Sequence, residues 1–291
     1  MSTVQDTDLL LVNRGGIDYK VPVVDLKKYI HRPPPWIGRT DVIWHVKNAN
    51  GTVNLSGMPC QAWTVDGKSL GTITSFDVGD ELIFATDVWR SDHFSGNNLV
   101  DWDFGEYTDT SRLKSMDHLF SNCGSFNGTL GGNWDTSNVV NMSYASEKAS
   151  AFNPDIGGWD TSGVTSMKFV FNDALSFNQD ISSWNTSKVT DMRSMFSDTG
   201  AFNSDIGGWD TSNVTNMNAM FYSTHAFNQD IGGWDVANVS DMDAMFKSSF
   251  VFNQDLSGWC VEYFIYPPSQ FDIDAVSWGS ARPKWGHPCD P

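Results

Sequence analysis

Residues 202–221 read FNSDIGGWDTSNVTNMNAMF, and the same spelling returns at a fixed interval on both sides. Trp stands at 134, 159, 184, 209, 234 and 259, each step being 25 residues. Phe keeps the same step at 152, 177, 202, 227 and 252, and Met at 142, 167, 192, 217 and 242. Phe126 extends the Phe series with a step of 26, so one residue is inserted before Trp134. The unit is F-N-x-D-I-G-G-W-D-T-S-N-V-T-x-M-x-x-M-F, followed by a short polar link. A degenerate earlier copy runs from Asp109 through Met116 to Leu119-Phe120, with Thr108 where the unit has Trp. A period of this length is the mark of stacked structural repeats, each burying its apolar face only against its neighbours.

The unit carries its own structural expectations. Val214-Thr215-Asn216-Met217 alternates and predicts one short strand. Asn218-Ala219-Met220-Phe221 contains no β-branched residue and predicts a helical turn. Gly207-Gly208 and Gly232-Gly233 predict bends where backbone passes close to backbone. The Trp, Phe, Met and Ile columns read as core. The Asn after each Phe (127, 153, 178, 203, 228, 253) reads as an internal amide ladder serving bend carbonyls.

Composition agrees. Of 35 acidic residues only Glu81, Glu106, Glu147 and Glu262 are Glu, so 31 are Asp, beside 25 Gly. Asp bonds to nearby backbone and favours caps and turns over helices, so the chain is expected to be turn-rich. A net charge of −17 argues against a nucleic-acid surface, which needs clustered Lys and Arg. At 40% hydrophobic and 13% aromatic the chain is too apolar to be disordered. The opening MSTVQDTDLLLV has acids where a secretory signal is basic, and is read as neither secretory nor transmembrane.

Two Asp columns invite a metal reading. Asp155, Asp180, Asp205, Asp230 and Asp255 share one position, with Thr129 in the first copy, and a stacked row of carboxylates could hold Ca²⁺. Turn capping would leave the same pattern. The second column (Asp135, Asp160, Asn185, Asp210, Asp235) accepts Asn, so its requirement is a hydrogen-bond acceptor rather than charge. The four cysteines form no C-x-x-C pair and the six histidines no metal-ligand spacing. No metal ligands, catalytic residues or cofactor site are therefore assigned, and His45 and His93 are read as ordinary surface or core residues.

The repeat closely resembles the short repeat of BspA-like bacterial surface proteins, grouped with leucine-rich repeats, over about residues 109–259. The resemblance implies a leucine-rich-repeat-like solenoid used in surface adhesion or recognition, with no catalysis. The tail Trp259-Cys260-Val261 to Pro283-Lys284-Trp285-Gly286 and Cys289 looks like the end of such arrays, which implies a Cys260–Cys289 disulfide pinning the last segment over the final coil. Cys60 and Cys123 are expected to be free and buried.

The N-terminal part reads differently. LLLVNRGGIDYKV (9–21) has a hairpin signal at Arg14-Gly15-Gly16. Val24–Ile30 suits one or two helical turns, and Pro33-Pro34-Pro35 makes a stiff linker. Residues 36–100 alternate around Asn50-Gly51 and Asp66-Gly67 and predict an antiparallel β-domain of about five strands. The segment TDLLLVNRGGIDYKV resembles the opening of structural proteins of marine tailed phages, especially cyanophages, which implies an attachment segment ahead of variable distal domains. The expected fold class is mainly β. The expected organisation is an attachment or oligomerisation module (1–32), a small β-domain (33–100), a solenoid of about six 25-residue coils (101–259) and a C-terminal cap (260–291).

The functional expectation is a non-enzymatic virion structural protein: a tail fibre, baseplate or capsid appendage presenting its solenoid for host-surface recognition. Its partners would be other virion proteins at the N-terminal module and a host-surface protein or glycan at the solenoid, with symmetric, trimeric mounting as one option. Neither nucleic acid nor membrane insertion is expected, and synthesis would be in the host cytoplasm without a signal peptide. A bacterial adhesin of BspA-like type is the alternative. A polysaccharide-degrading tailspike is a third, because paired carboxylates can hydrolyse glycosides, yet a catalytic pair should be a local departure from the repeat. The departures present (Thr129, Asn185, Ala145-Ser146) read as loosened packing. The candidate recognition strip is Asn141, Ser166, Asp191, Asn216 and Asp241, expected to face outward.

Overall fold

The computed structural model describes residues 110–128, 130 and 134–289 with their side chains, and nine earlier strands by their backbone. Strands β1 (Leu9–Arg14) and β2 (Ile17–Pro22) pair antiparallel, Arg14 facing Ile17. Next come β3 (Val42–Lys47), β4 (Val53–Asn54), β5 (Cys60–Thr64), β6 (Ser69–Ile73), β7 (Ser75–Phe76), β8 (Glu81–Thr86) and β9 (Asp103–Phe104). Five of them form one antiparallel sheet in the order β6-β5-β8-β3-β9, while β4 pairs with β7. β9 carries this sheet past the boundary expected at residue 100. The helical turns expected at 24–30, the Pro33–Pro35 linker, Thr129 and the side chains of His45, Cys60 and His93 lie outside the described residues.

From residue 110 onward the chain is a stack of coils. The coils send side chains inward from the same seven positions; in one coil these are Phe202, Ile206, Trp209, Val214, Met217, Met220 and Phe221, all buried. The rings stack on their counterparts: Phe196 on Phe221 at 5.7 Å, Phe202 on Phe227 at 5.7 Å and Trp209 on Trp184 at 6.5 Å between centroids. Where one copy of the unit passes into the next, Phe196 and Phe202 lie 3.9 Å apart and nearly parallel. Three aromatic columns therefore run through the array, and burial at this density is its principal stabilisation.

The backbone differs from both local expectations. The predicted strand over 214–217 shrinks to a single-residue parallel bridge at Asn216, in a series linking Ser115, Asn141, Ser166, Asp191, Asn216 and Asp241. The predicted helical turn over 218–221 is instead a run of consecutive turns. Alternate amides reach the next coil, with Met217, Ala219, Phe221 and Ser223 N–H donating to the carbonyls of Asp241, Asp243, Met245 and Lys247 at 2.8–2.9 Å. The amides between them close turns within the coil, Met220 on Met217, Tyr222 on Ala219 and Thr224 on Phe221. A four-residue helix would leave nearly all these groups without partners. The alternation satisfies each amide and ties the coils together.

That alternation has a conformational cost. Two residues per coil take left-handed backbone: Ala219 (φ 52) and Ser223 (φ 54) in this coil, Phe169 (φ 57) and Asp173 (φ 56) two coils earlier. None is glycine, although glycine adopts this region most readily.

Between the turns, side chains add further bonds from coil to coil. The Trp indoles at 184, 209, 234 and 259 donate to the carbonyls of Ile156, Ile181, Ile206 and Ile231 at 3.0–3.2 Å. Buried Thr211 donates to the Asp235 carbonyl at 2.8 Å. The Asn ladder exists but is solvent-facing, and it serves amides rather than carbonyls. Asn203 Oδ1 accepts the N–H of Asn228, whose Oδ1 accepts that of Asn253, at 2.9 and 2.8 Å. At the Gly pairs only the first glycine is crowded: a Cβ on Gly207 would meet the Asp230 carbonyl at 2.5 Å, whereas Gly208 has open space.

The array ends with a half coil that the period does not announce. Ala244, Phe246 and Ser248 donate to the carbonyls of Ser269, Phe271 and Ile273. Gln270 and Asp274 repeat the left-handed pair, 26 residues after Ala244 and Ser248. Phe271, Ala275 and Trp278 cover the last core layer, Trp278 meeting Phe252 edge-on at 4.9 Å. Cys260 and Cys289 are disulfide-bonded, with Cα atoms 5.0 Å apart, and Gly286 N–H donates to the Val261 carbonyl. Cys123 is free and buried, and burial pushes its thiol pKa far up, so it is an inert core residue.

Candidate recognition face

The parallel bridges bring one side of every coil into register, so a side chain at a given position in the unit becomes a column. Val139, Val164, Val189, Val214 and Val239 point inward from this side. The next residue in each coil points out: Val140, Thr165, Thr190, Thr215 and Ser240 form an exposed column. Thr165, Thr190, Thr215 and Ser240 donate their hydroxyls to the carbonyl of the residue one coil earlier, at 3.0–3.2 Å, and their N–H groups reach the same oxygens. Their hydroxyl rotors are thereby fixed.

Asn141, Ser166, Asp191, Asn216 and Asp241 come next, and they are half-buried rather than fully outward. Four of them have an Oδ1 committed to the backbone, accepting the N–H two residues on, from Ser143, Arg193, Asn218 and Asp243, at 2.9–3.1 Å. Ser166 shares a hydroxyl bond with Ser143 at 2.8 Å. Alternation counted back from the buried Met (Met217 in this coil) would have placed these residues outward. It fails because the strand is one residue long, and the threonine column takes the fully exposed place.

The two Asp columns cap turns. Asp155, Asp205 and Asp230 accept the N–H of Gly157, Gly207 and Gly232, while Asp180 and Asp255 accept that of Ser182 and Ser257. In the second column Asp160, Asn185, Asp210 and Asp235 accept the N–H two residues on, and Asn185 does so as well as any carboxylate. These bonds hold several carboxyls below the usual range: the Ser162 and Ser212 hydroxyls act first on Asp160 and Asp210, and the Ser182 backbone on Asp180. Among the described residues no group of three or more His, Cys, Asp or Glu is arranged to hold a metal ion. The Ala145-Ser146 departure is closed by the Ser146 hydroxyl donating to the Val170 carbonyl.

A further column was not anticipated. His118, Tyr144 and Phe169 occupy the left-handed position in successive coils and stack face to face, at 4.5 and 4.8 Å between centroids. Beside them Lys168 sits 5.5 Å from the Tyr144 centroid and Arg193 5.6 Å from that of Phe169. In later coils the column becomes Ser194, Ala219 and Ala244. The sequence signal is an aromatic at one coil position in adjacent copies, hidden because the position shows no consensus.

Among known proteins, the family described as "Mycoplasma protein of unknown function, DUF285" matches the chain over residues 89–206 and 180–273. No curated protein and no solved structure matches it.

Proposed function

The chain belongs to the DUF285 family, and from that premise we propose that it is a non-enzymatic surface-recognition protein. Its coils act as a leucine-rich-repeat-like solenoid whose flat polar side contacts a host-surface glycan or protein. The observation that carries the reading is the threonine column with its neighbours: hydroxyls and amides held in fixed directions on a packed core, repeated coil after coil. A surface whose rotors are already fixed loses little entropy on binding. Repetition lets a repeating ligand engage several coils at once.

In the finer reading the chain is a virion structural protein, mounted by its N-terminal module on other virion proteins and displaying the solenoid outward. The support for this is the resemblance of residues 7–21 to phage structural proteins. The alternative is a bacterial surface adhesin, supported by the BspA-like spelling of the coils.

Two measurements test these readings. Labelled protein should bind candidate host cells saturably, and pre-incubation with the unlabelled protein should abolish that binding; non-saturable binding overturns the recognition role. Antibody labelling in electron microscopy then separates the finer readings, since the virion reading requires label on purified particles and the adhesin reading requires it on bacterial envelopes.

A further inference from the structure

The array from 101 to 260 holds 20 acidic and 7 basic residues, a net −13. Within it Lys168 and Arg193 stand at the same coil position, one coil apart, where other coils have Ser143, Asn218 and Asp243. The Phe169 N–H donates to the Arg193 carbonyl at 2.9 Å, and Tyr144 N–H to that of Lys168, so the two side chains leave the backbone in register.

The two cations are weakly paired: Arg193 has one long ion pair, with Asp191. Lys168 has no ion pair among the described residues. The nearest carboxylate oxygen to the Arg193 guanidinium is Asp191 Oδ2 at 3.9 Å, and the other Asp191 oxygen is committed to a backbone N–H. Arg193 Nε is buried without a hydrogen-bond partner, although the side chain as a whole is 38% exposed. The exposed end of this guanidinium is the part a ligand oxygen can reach. The aromatic column adds to the effect. Each cation lies within cation–π range of a ring, Lys168 of Tyr144 and Arg193 of Phe169. The result is a localised electropositive spot on an acidic surface, flanked by hydroxyls and amides: Ser143, Ser166, Asn216 and Asn218.

Resting on the recognition role above, we propose that Lys168 and Arg193 form a subsite for a carboxylate or sulfate group of an acidic surface polysaccharide. Charge complementarity selects the anion. The surroundings select the polymer. Asp191, Asp241 and Asp243 repel a ligand dense in charge, whereas a hydroxyl-rich chain with sparse anions can place one group on the cations and its hydroxyls on the neighbouring polar columns. Arg193 supplies a planar fork for two oxygens, and Lys168 a point charge.

The test uses the full chain with immobilised carboxymethyl dextran and dextran sulfate, each of low substitution so that anions are sparse, and neutral dextran, at low and high salt. Wild-type protein is expected to bind at least one anionic polymer, weaken with salt, and ignore neutral dextran. K168A/R193A should weaken that binding at least tenfold, with a smaller loss for R193K. K284A, a cap lysine far along the chain, should bind as wild type. Circular dichroism melting of each variant separates loss of the site from loss of the fold, and a misfolded double variant is replaced by K168Q/R193Q. Equal binding to neutral dextran, no binding to either anionic polymer, or a folded double variant that binds like wild type overturns the subsite. Host-cell binding by the same proteins is read in parallel. If it persists in the double variant, the subsite falls while the recognition role stands; if wild type also fails to bind cells, that role falls with it.

Discussion

The indole N–H of Trp234 donates to the carbonyl oxygen of Ile206 at 3.1 Å, across 28 residues and one layer of the stack. The bond is buried, and its counterparts recur from Trp184 to Trp259. Trp thus serves these coils in two ways: its ring extends an aromatic column, and its nitrogen gives the Ile206 carbonyl, which already accepts the Trp209 N–H at 3.2 Å, a second bond that ties two layers together. Trp234→Phe should keep most of the packing and remove one of the two bonds to the Ile206 carbonyl, a loss of about 0.5–1.5 kcal/mol. Trp234→Ala adds a cavity and should cost about 3–5 kcal/mol. Urea unfolding of both variants, followed by circular dichroism, checks the order.

The left-handed residues give a prediction of opposite sign. Ala219 and Ala244 hold φ values of 52° and 55°, which cost an L-residue about 1–2 kcal/mol that glycine avoids. The greater freedom of glycine in the unfolded chain returns part of this. Ala244→Gly should therefore stabilise the protein by roughly 0.5–1 kcal/mol, and Ala244→Val should destabilise it. Melting temperatures of the two variants measured side by side decide the point.

Reducing the Cys260–Cys289 bond releases a loop with a sequence separation of 29, a loss of about 3–4 kcal/mol on the chain-entropy account. The loss should be local at first, because the bond anchors the half coil formed by Ser269–Trp278. Under reducing conditions limited proteolysis is expected to cut within 261–289 before it touches the central coils. Simultaneous digestion of the central coils would show instead that the cap holds the entire array together.

The carboxyls of Asp160, Asp180, Asp210 and Asp255 titrate below the ordinary value of 3.8. Their folded values are depressed, so their stabilisation is complete above pH 3.8 and is lost as pH falls through the lower folded values. Acid should therefore destabilise the array, and Asp210→Asn should lessen that pH dependence while keeping the acceptor, as Asn185 does at the same position. Asp173 has the opposite sign: burial first, then the neighbouring Asp198, raises its carboxyl. Asp173→Asn should raise the melting temperature at pH 7 more than at pH 4. Melting curves of both variants between pH 2.5 and 7 supply the comparison.

The chemistry of the candidate strip was legible in the sequence, whereas its degree of exposure was not. The strip from Asn141 to Asp241 alternates with core residues in the sequence, yet its Oδ1 atoms turn back to the backbone and leave the exposed place to Thr165, Thr190 and Thr215. Alternation holds only while a strand continues, and this one ends after a single bridge. The Lys168–Arg193 pair and its aromatic neighbours escaped notice for a different reason: a column position without consensus looks like noise until coils are placed in register.

The sequence alone determined the period, the identity of the core columns and the use of Asp and Asn as turn acceptors, because burial and capping act on the residue types at each position of the unit. It also made the acidity of the chain an architectural by-product of those turns. Only the tertiary structure decided how the segment from Met217 to Thr224 is folded. Nothing within one coil favours left-handed Ala219 and Ser223; the favour comes from amides that must reach the carbonyls of the next coil, and that partner exists only once the coils are stacked. The closing half coil around Phe271 and Trp278 was decided in the same way, by an exposed core layer whose amides required another strand of chain above them.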